Sequence, residues 1–229
     1  PNEIHNLASS LSKRKPGSRS YNKGWLTWRS HAIDAIRHNL ATIISDESTT
    51  LVQANKTKFE NLFFRLGVAA DVGLMPSFDD AGARSGYALE FFCRGRNLAD
   101  LFIDSFNTHY NFPQFCLDEL LTSPILGGSY TVNTDGEVEP YSMVSLGGGP
   151  AYDYVGAALA TSFSSYTSSS EQQGTAIKAT ILDYEEGWGD LVEAMSNSTQ
   201  HILQNTNLQC NWGGKCDITQ SIFHENNVA

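Results

Sequence analysis

The residues best suited to chemistry form one short run, "SLGGGPAYD", from Ser145 to Asp153. Gly147, Gly148 and Gly149 interrupt an apolar segment and Pro150 follows at once. Bare backbone lets a ligand come close to the chain. A helix that starts there offers free N–H groups and a dipole suited to an anionic group. Pro150 suits a first helical position, where no N–H is needed. Three uses stand open at this point: a nucleotide cradle, a tight structural turn, or a plain loop. A P-loop is excluded because no Lys-Ser or Lys-Thr follows. The dinucleotide fingerprint wants glycines at positions 1, 3 and 6, and position 6 counted from Gly147 is Tyr152, a large ring where close packing is required. Small residues at positions 1, 3 and 5 fit better, as Gly147, Gly149 and Ala151.

Two carboxylates stand where strands are expected to end. Asp183 closes "KATILDY", and a carboxylate can accept two hydrogen bonds from a diol. Glu185 and Glu186 follow closely, so which acid turns inward is open. Asp217, in "GKCDIT", can accept from an exocyclic amine or cap a helix. Tyr152 and Asp153, just past the glycines, either line a pocket or face solvent. The cysteines are Cys93, Cys116, Cys210 and Cys216. Cys210 and Cys216, flanked by His201 and His224, match no zinc spacing, so no metal is assigned and the thiols read as reduced and structural. His109 beside Tyr110 is the most site-like histidine, but an isolated His is ordinarily structural. Trp25, Trp28, Trp188 and Trp212 read as core or interface.

The elements that must position these groups change character along the chain. Residues 1–20 read as a flexible basic tail, and 21–124 as a helical region. Ile33, Ile36, Leu40 and Ile43 recur at helical spacing, as do Phe59, Leu62, Phe63 and Leu66, with "DESTT" at 46–50 between the two helices. Residues 75–86, with one Pro, two Asp and two Gly, read as a loop. The run from Tyr87 to Tyr110 predicts a helix or a broken pair weakened at Gly95, and "PQFCLDELLTS" a short helix. Residues 125–140 form a hairpin connector around Asp135-Gly136, with strands near 129–133 and 137–140. From 141 to 229 the order is strand (141–146), helix (150–161), Ser/Thr-rich loop (162–175), strand ("AIKATILDY"), amphipathic helix ("GWGDLVEAMSNSTQHIL"), then a loop running into a short strand that ends near Cys216. Such alternation predicts an α/β fold with a parallel sheet, with ligands beyond the carboxyl ends of its strands.

The segment "YSMVSLGGGPAYDYVGAAL" resembles motif I of class I S-adenosylmethionine-dependent methyltransferases. "KATILDY" and "GKCDIT" are similar to the two motifs that follow in that family. The resemblance spans 141–219, about a third of the chain. It implies a Rossmann-like module whose cofactor contacts are Ser145, Gly147, Gly148, Gly149, Ala151, Asp183 and Asp217, with S-adenosylmethionine as cofactor and S-adenosylhomocysteine as product. Asp183 would then take the ribose hydroxyls and Asp217 the adenine amine. The helical region is similar in kind to the cap such enzymes carry. Three departures accompany it. Ser145 stands where the family has an acid. The 34 residues from Gly149 to Asp183 exceed the usual spacing of about 20. Only 12 residues follow Asp217, so the seven-stranded sheet of the family reads as incomplete, to be finished by a longer chain or by a partner chain. The implied activity is methyl transfer to a small-molecule or macromolecular acceptor. A non-catalytic methyltransferase-like subunit of a larger assembly is the alternative, and no catalytic base is identified.

The totals set the outer limits. The chain's 229 residues can bury a sizeable core, and 41% of them are hydrophobic. No apolar run approaches the roughly 20 residues of a membrane helix, so the expectation is a soluble intracellular protein of the cytoplasm or an organelle such as the chloroplast. Net charge is −10, but residues 1–37 hold seven Lys or Arg against Glu3 and Asp34. The remainder holds eight basic and 23 acidic residues, which argues against a nucleic-acid partner.

Overall fold

The computed structural model describes residues 18–47, 78–108, 141–167 and 176–217, together with Ile4 and Asn6. The helices expected around Phe59–Leu66 and after Pro113, the hairpin at 125–140 and His109 lie outside them.

Among the described residues three strands form one parallel sheet in the order β1-β2-β3: β1 (Tyr141–Leu146), β2 (Ile177–Asp183) and β3 (Leu208–Lys215). Because the strands are parallel, all three carboxyl ends fall on one edge. Leu146 pairs with Leu182, and Asp183 pairs with Lys215. The third strand is longer than expected. Leu208 and Cys210 alternate inward with exposed Gln209 and Asn211, and Gly213 is skipped in the register as a bulge. Its glycines had suggested a loop, yet a bulge accommodates them within the strand.

Among the described residues five α-helices accompany the sheet: α1 (Arg19–Glu47), α2 (Ala81–Glu90), α3 (Cys93–Thr108), α4 (Tyr152–Thr167) and α5 (Gly189–Leu203). Helix α4 is buried almost all round, as expected of a helix with the sheet on one side and another helix on the other. Gly156 makes the second contact possible. A Cβ there would stand 2.8 Å from Leu98 Cβ and 3.0 Å from the Ala99 nitrogen, so α3 crosses almost on the backbone of α4. Gly95, expected as a weak point, sits inside α3 and faces Val155 at the same crossing. The break falls instead at Phe91 and Phe92, between α2 and α3.

The segment expected as a loop at 75–86 is helical from Ala81. Asp80 caps it by accepting from the Ala83 N–H at 2.9 Å, which outweighs two helical glycines. Helix α4 also outruns its expected end, because Thr161, Ser162 and Phe163 are buried and Thr161 donates back to Ala157 O at 2.9 Å. Helix α1 reaches Glu47, into the expected separator. Its Trp25, Trp28, Ala32, Ile36 and Leu40 are buried along one stripe, and Phe163 of α4 packs on both tryptophans at 5.0 and 5.2 Å. Trp25 donates to Asp100 Oδ1 of α3 at 2.9 Å, and Arg29 pairs with the same carboxylate. Ile4, in the expected tail, is buried, and its carbonyl accepts from Trp28 Nε1 at 3.1 Å.

One face of the sheet is filled. Ile177, Ala179, Ile181, Leu208 and Cys210 share a core with α4 and α5. The other face carries Val144, 62% exposed, and Leu146, 50% exposed. No helix among the described residues is long and apolar enough to cross a membrane.

Candidate functional site

The turn after β1 is held by its neighbour strand. The N–H groups of Gly147 and Gly148 both donate to Leu182 O, at 2.8 and 3.3 Å, and Ala151 N–H closes on Gly148 O at 3.0 Å. Gly147 and Gly149 take left-handed conformations, φ 66° and 48°, which an L-residue adopts at a cost. Gly148 is required by space instead. A Cβ there would meet Ser145 Oγ at 2.6 Å and Ile181 Cγ2 at 2.9 Å. Pro150 does not open the helix as expected. Ala151 intervenes with φ 68°, and α4 begins at Tyr152.

Asp183 ties the two strand ends together. Its Oδ2 accepts from Gly149 N–H at 2.8 Å across 34 residues of sequence, and its Oδ1 accepts from Glu185 N–H at 3.0 Å. Its carbonyl accepts from Cys216 N–H at 2.7 Å, so β3 buttresses the same residue. Glu185 turns to the next loop and accepts from Gly187 N–H at 3.2 Å. Of the acids at 183–186, Asp183 alone meets the glycine turn among the described residues.

A cleft of about 180 Å³ opens over this turn. The three glycines, Asp153 and Asp183 line one side. Phe78, Tyr87 and Arg94, from the helical region, and Trp188, after β2, line the other. The aromatic wall is continuous, with Phe78 5.1 Å from Tyr87 and 5.2 Å from Trp188, centroid to centroid. Trp188 lies 3.8 Å from where a Gly149 side chain would begin. Arg94 donates to the Tyr87 hydroxyl, and its guanidinium lies 5.3 Å from the Tyr87 ring and 5.2 Å from the Phe91 ring. Burial pushes the Tyr87 phenol up, Arg94 pulls it back and Asp183 adds to the rise.

Tyr152, the residue that spoils a dinucleotide fingerprint, is a buried anchor. Its hydroxyl donates to Tyr87 O at 2.8 Å and Ala88 O at 3.1 Å, which fixes the start of α4 to the last turn of α2. Burial pushes its phenol up, and the Tyr87 phenol adds to the rise.

Of the sequence-derived site residues, Gly147, Gly148, Gly149 and Asp183 come together at the cleft. Ser145 lies buried behind it, and its hydroxyl donates to Asp153 Oδ2. Ala151 is wholly buried under the turn. Asp217 follows β3 by two residues, half-buried and apart from the cleft lining. Phe78, Tyr87 and Arg94 were missed. No spacing joins them to the glycines, and only the packing of α2 and α3 on α4 brings them there. Cys210 is buried in β3, His201 is exposed at the end of α5, and no metal-holding group occurs among the described residues.

Comparison with protein-family models, with curated proteins and with solved structures gives no match to this chain.

Proposed function

We propose that this chain carries a Rossmann-like module that binds S-adenosylmethionine and acts as a methyltransferase on an acceptor still to be identified. The observation that carries the reading is the hydrogen bond from Gly149 N–H to Asp183. It joins, at the carboxyl edge of a parallel sheet, the two segments that resemble the family's first two cofactor motifs. The donor set suits a nucleoside. An ionised carboxylate has about four acceptor sites, so Asp183 retains capacity for a ribose diol beyond its two backbone partners. The enclosed volume is below the roughly 300–1,000 Å³ of most small-molecule pockets. It would hold one end of the ligand, with the rest along the open mouth.

The cofactor would supply an electrophilic methyl group. The chain's part is to orient the ligand and exclude water, the first through Asp183 and the glycine turn, the second through Phe78, Tyr87 and Trp188. Calorimetric titration of the folded chain with S-adenosylhomocysteine, beside NAD, tests the reading. Saturable binding of the first and none of the second is expected. A folded chain that binds neither refutes it.

The exposed Val144 and Leu146 support a second reading, a non-catalytic methyltransferase-like subunit whose open sheet face meets another surface. Parallel sheets are ordinarily covered on both faces. A chain that ignores the nucleoside yet forms a stable complex through this face would favour it.

A further inference from the structure

A second cavity, of about 500 Å³, is lined by α5 and β3 and shares no residue with the cleft over the glycine turn. Its volume falls within the roughly 300–1,000 Å³ of small-molecule pockets. Asp190, Glu193, Asn197 and Gln200 recur every three or four residues, so α5 presents them as one stripe about 15 Å long. From β3 come Gln209, Asn211 and Trp212. Asp190, Glu193, Asn197, Gln209 and Asn211 are exposed, and their side chains make no hydrogen bond or ion pair among the described residues. The floor, by contrast, is fixed. Buried Ser196 accepts from Cys210 N–H at 3.1 Å and from Gln200 Nε2 at 3.3 Å, which fills both lone pairs of its hydroxyl. Behind it the Tyr154 hydroxyl is wholly buried without a well-formed hydrogen bond, and Ser196 stands close enough to offset part of the rise that burial imposes on that phenol. Two hydroxyls in series therefore lead from the core to the cavity.

The lining selects among ligands by what they donate and accept. An anion would meet Asp190 and Glu193 with no Lys or Arg to offset them. A cation only donates, and would leave the carboxamide N–H groups of Asn197, Gln209 and Asn211 unanswered. An added peptide strand needs free backbone at the sheet edge, but the N–H groups of Leu208 and Cys210 are already taken, by Asn205 O at 3.4 Å and by Ser196. A hydroxyl both donates and accepts, so a polyol answers carboxylates and carboxamides alike. We infer that this cavity is a binding site for a neutral saccharide. Asp190 and Glu193 accept from its hydroxyls, Asn197, Gln209 and Asn211 serve it in both senses, and Trp212 offers apolar surface to its C–H groups. The inference is independent of the nucleoside reading, because the two cavities have no residue in common.

The test titrates wild-type protein with maltotriose, cellotriose and triacetylchitotriose, beside spermidine as a cationic control. Binding is read by tryptophan fluorescence and by saturation-transfer NMR. At least one trisaccharide is expected to bind saturably with a Kd of about 1 mM or tighter, and spermidine more weakly. Asn197→Ala combined with Gln209→Ala should weaken that binding at least about tenfold, as the loss of two hydrogen bonds implies. Both residues are exposed, so the double variant should fold, and near-ultraviolet circular dichroism checks this. Trp212→Phe should abolish the fluorescence change. Saturating S-adenosylhomocysteine should leave the saccharide affinity unaltered. Absence of trisaccharide binding to folded wild type, spermidine binding as tight as theirs, an affinity unchanged in the double variant, or displacement by the nucleoside overturns the inference. None of these readouts requires the nucleoside to bind, so the two readings fail separately.

Discussion

Asp183→Asn separates the architecture of the turn from its chemistry. Both carboxylate oxygens are committed, one to Gly149 N–H at 2.8 Å and the other to Glu185 N–H at 3.0 Å. An amide offers one acceptor oxygen, and its NH₂ must then face one of these two donors. One hydrogen bond to a charged acceptor is lost, and the other becomes a neutral pair. Bonds to charged groups contribute about 1.5–3 kcal/mol each. Asp183 is only half-buried, so water relieves part of the loss, and about 2 kcal/mol is expected. For a chain of this length each 1 kcal/mol moves Tm by roughly 2–4 °C, so Asp183→Asn should melt about 4–8 °C below wild type without ligand. Thermal unfolding by circular dichroism, beside urea midpoints with unchanged slope, measures it. A variant within about 1 °C of wild type would refute the claim that Asp183 holds the turn. The same variant with its S-adenosylhomocysteine affinity lost would leave Asp183 as a ligand contact alone.

The crowding at Gly148 predicts that Gly148→Ala destabilises by about 1–3 kcal/mol, read as a lowered urea midpoint, because the new methyl meets Ser145 and Ile181. Tyr152→Phe should cost about 1 kcal/mol in the same assay, since it removes the phenol's hydrogen bond to the Tyr87 and Ala88 carbonyls while Phe91 N–H still serves Tyr87 O. Burial pushes the Cys210 thiol from its ordinary 9.0 to about 12. The folded chain therefore holds that proton more tightly than the unfolded chain. The associated stability is complete below about pH 9 and falls by at most about 1.4 kcal/mol per pH unit from there toward about 12. Cys210→Ala should flatten this alkaline decline in urea midpoints. In a labelling experiment on the native protein, exposed Cys93 should alkylate quickly and buried Cys210 only after unfolding.

The order of elements from Tyr141 onward was legible in the sequence because two periodicities alternate there. Strand segments bounded by turn residues flank a helix whose stripe, Leu191, Val192 and Met195, is buried as the spacing requires. The glycine run and Asp183 were legible for a related reason. A strand end is a local feature, and the residue types there announce what the backbone must do.

What the sequence misjudged was decided by contacts distant along the chain. Gly95 weakens a helix considered alone, yet here it sits where α3 and α4 cross closely, and the packing gained outweighs its poor helix propensity. Gly213 suggested a loop until its neighbour strand absorbed it as a bulge. The helical wall of the cleft belongs to the same class. Phe78, Tyr87 and Arg94 precede the glycine turn by more than 50 residues, and nothing in their spacing points to it. The sequence by itself determined the alternating elements and the two segments that meet at the sheet's carboxyl edge. Tertiary structure alone decided that Asp183 closes on Gly149, that Ser145 donates to Asp153, and that Phe78, Tyr87 and Arg94 line the same cleft as the glycine turn. Local backbone preference acts over a few residues, whereas a cleft is made by surfaces that only packing brings together.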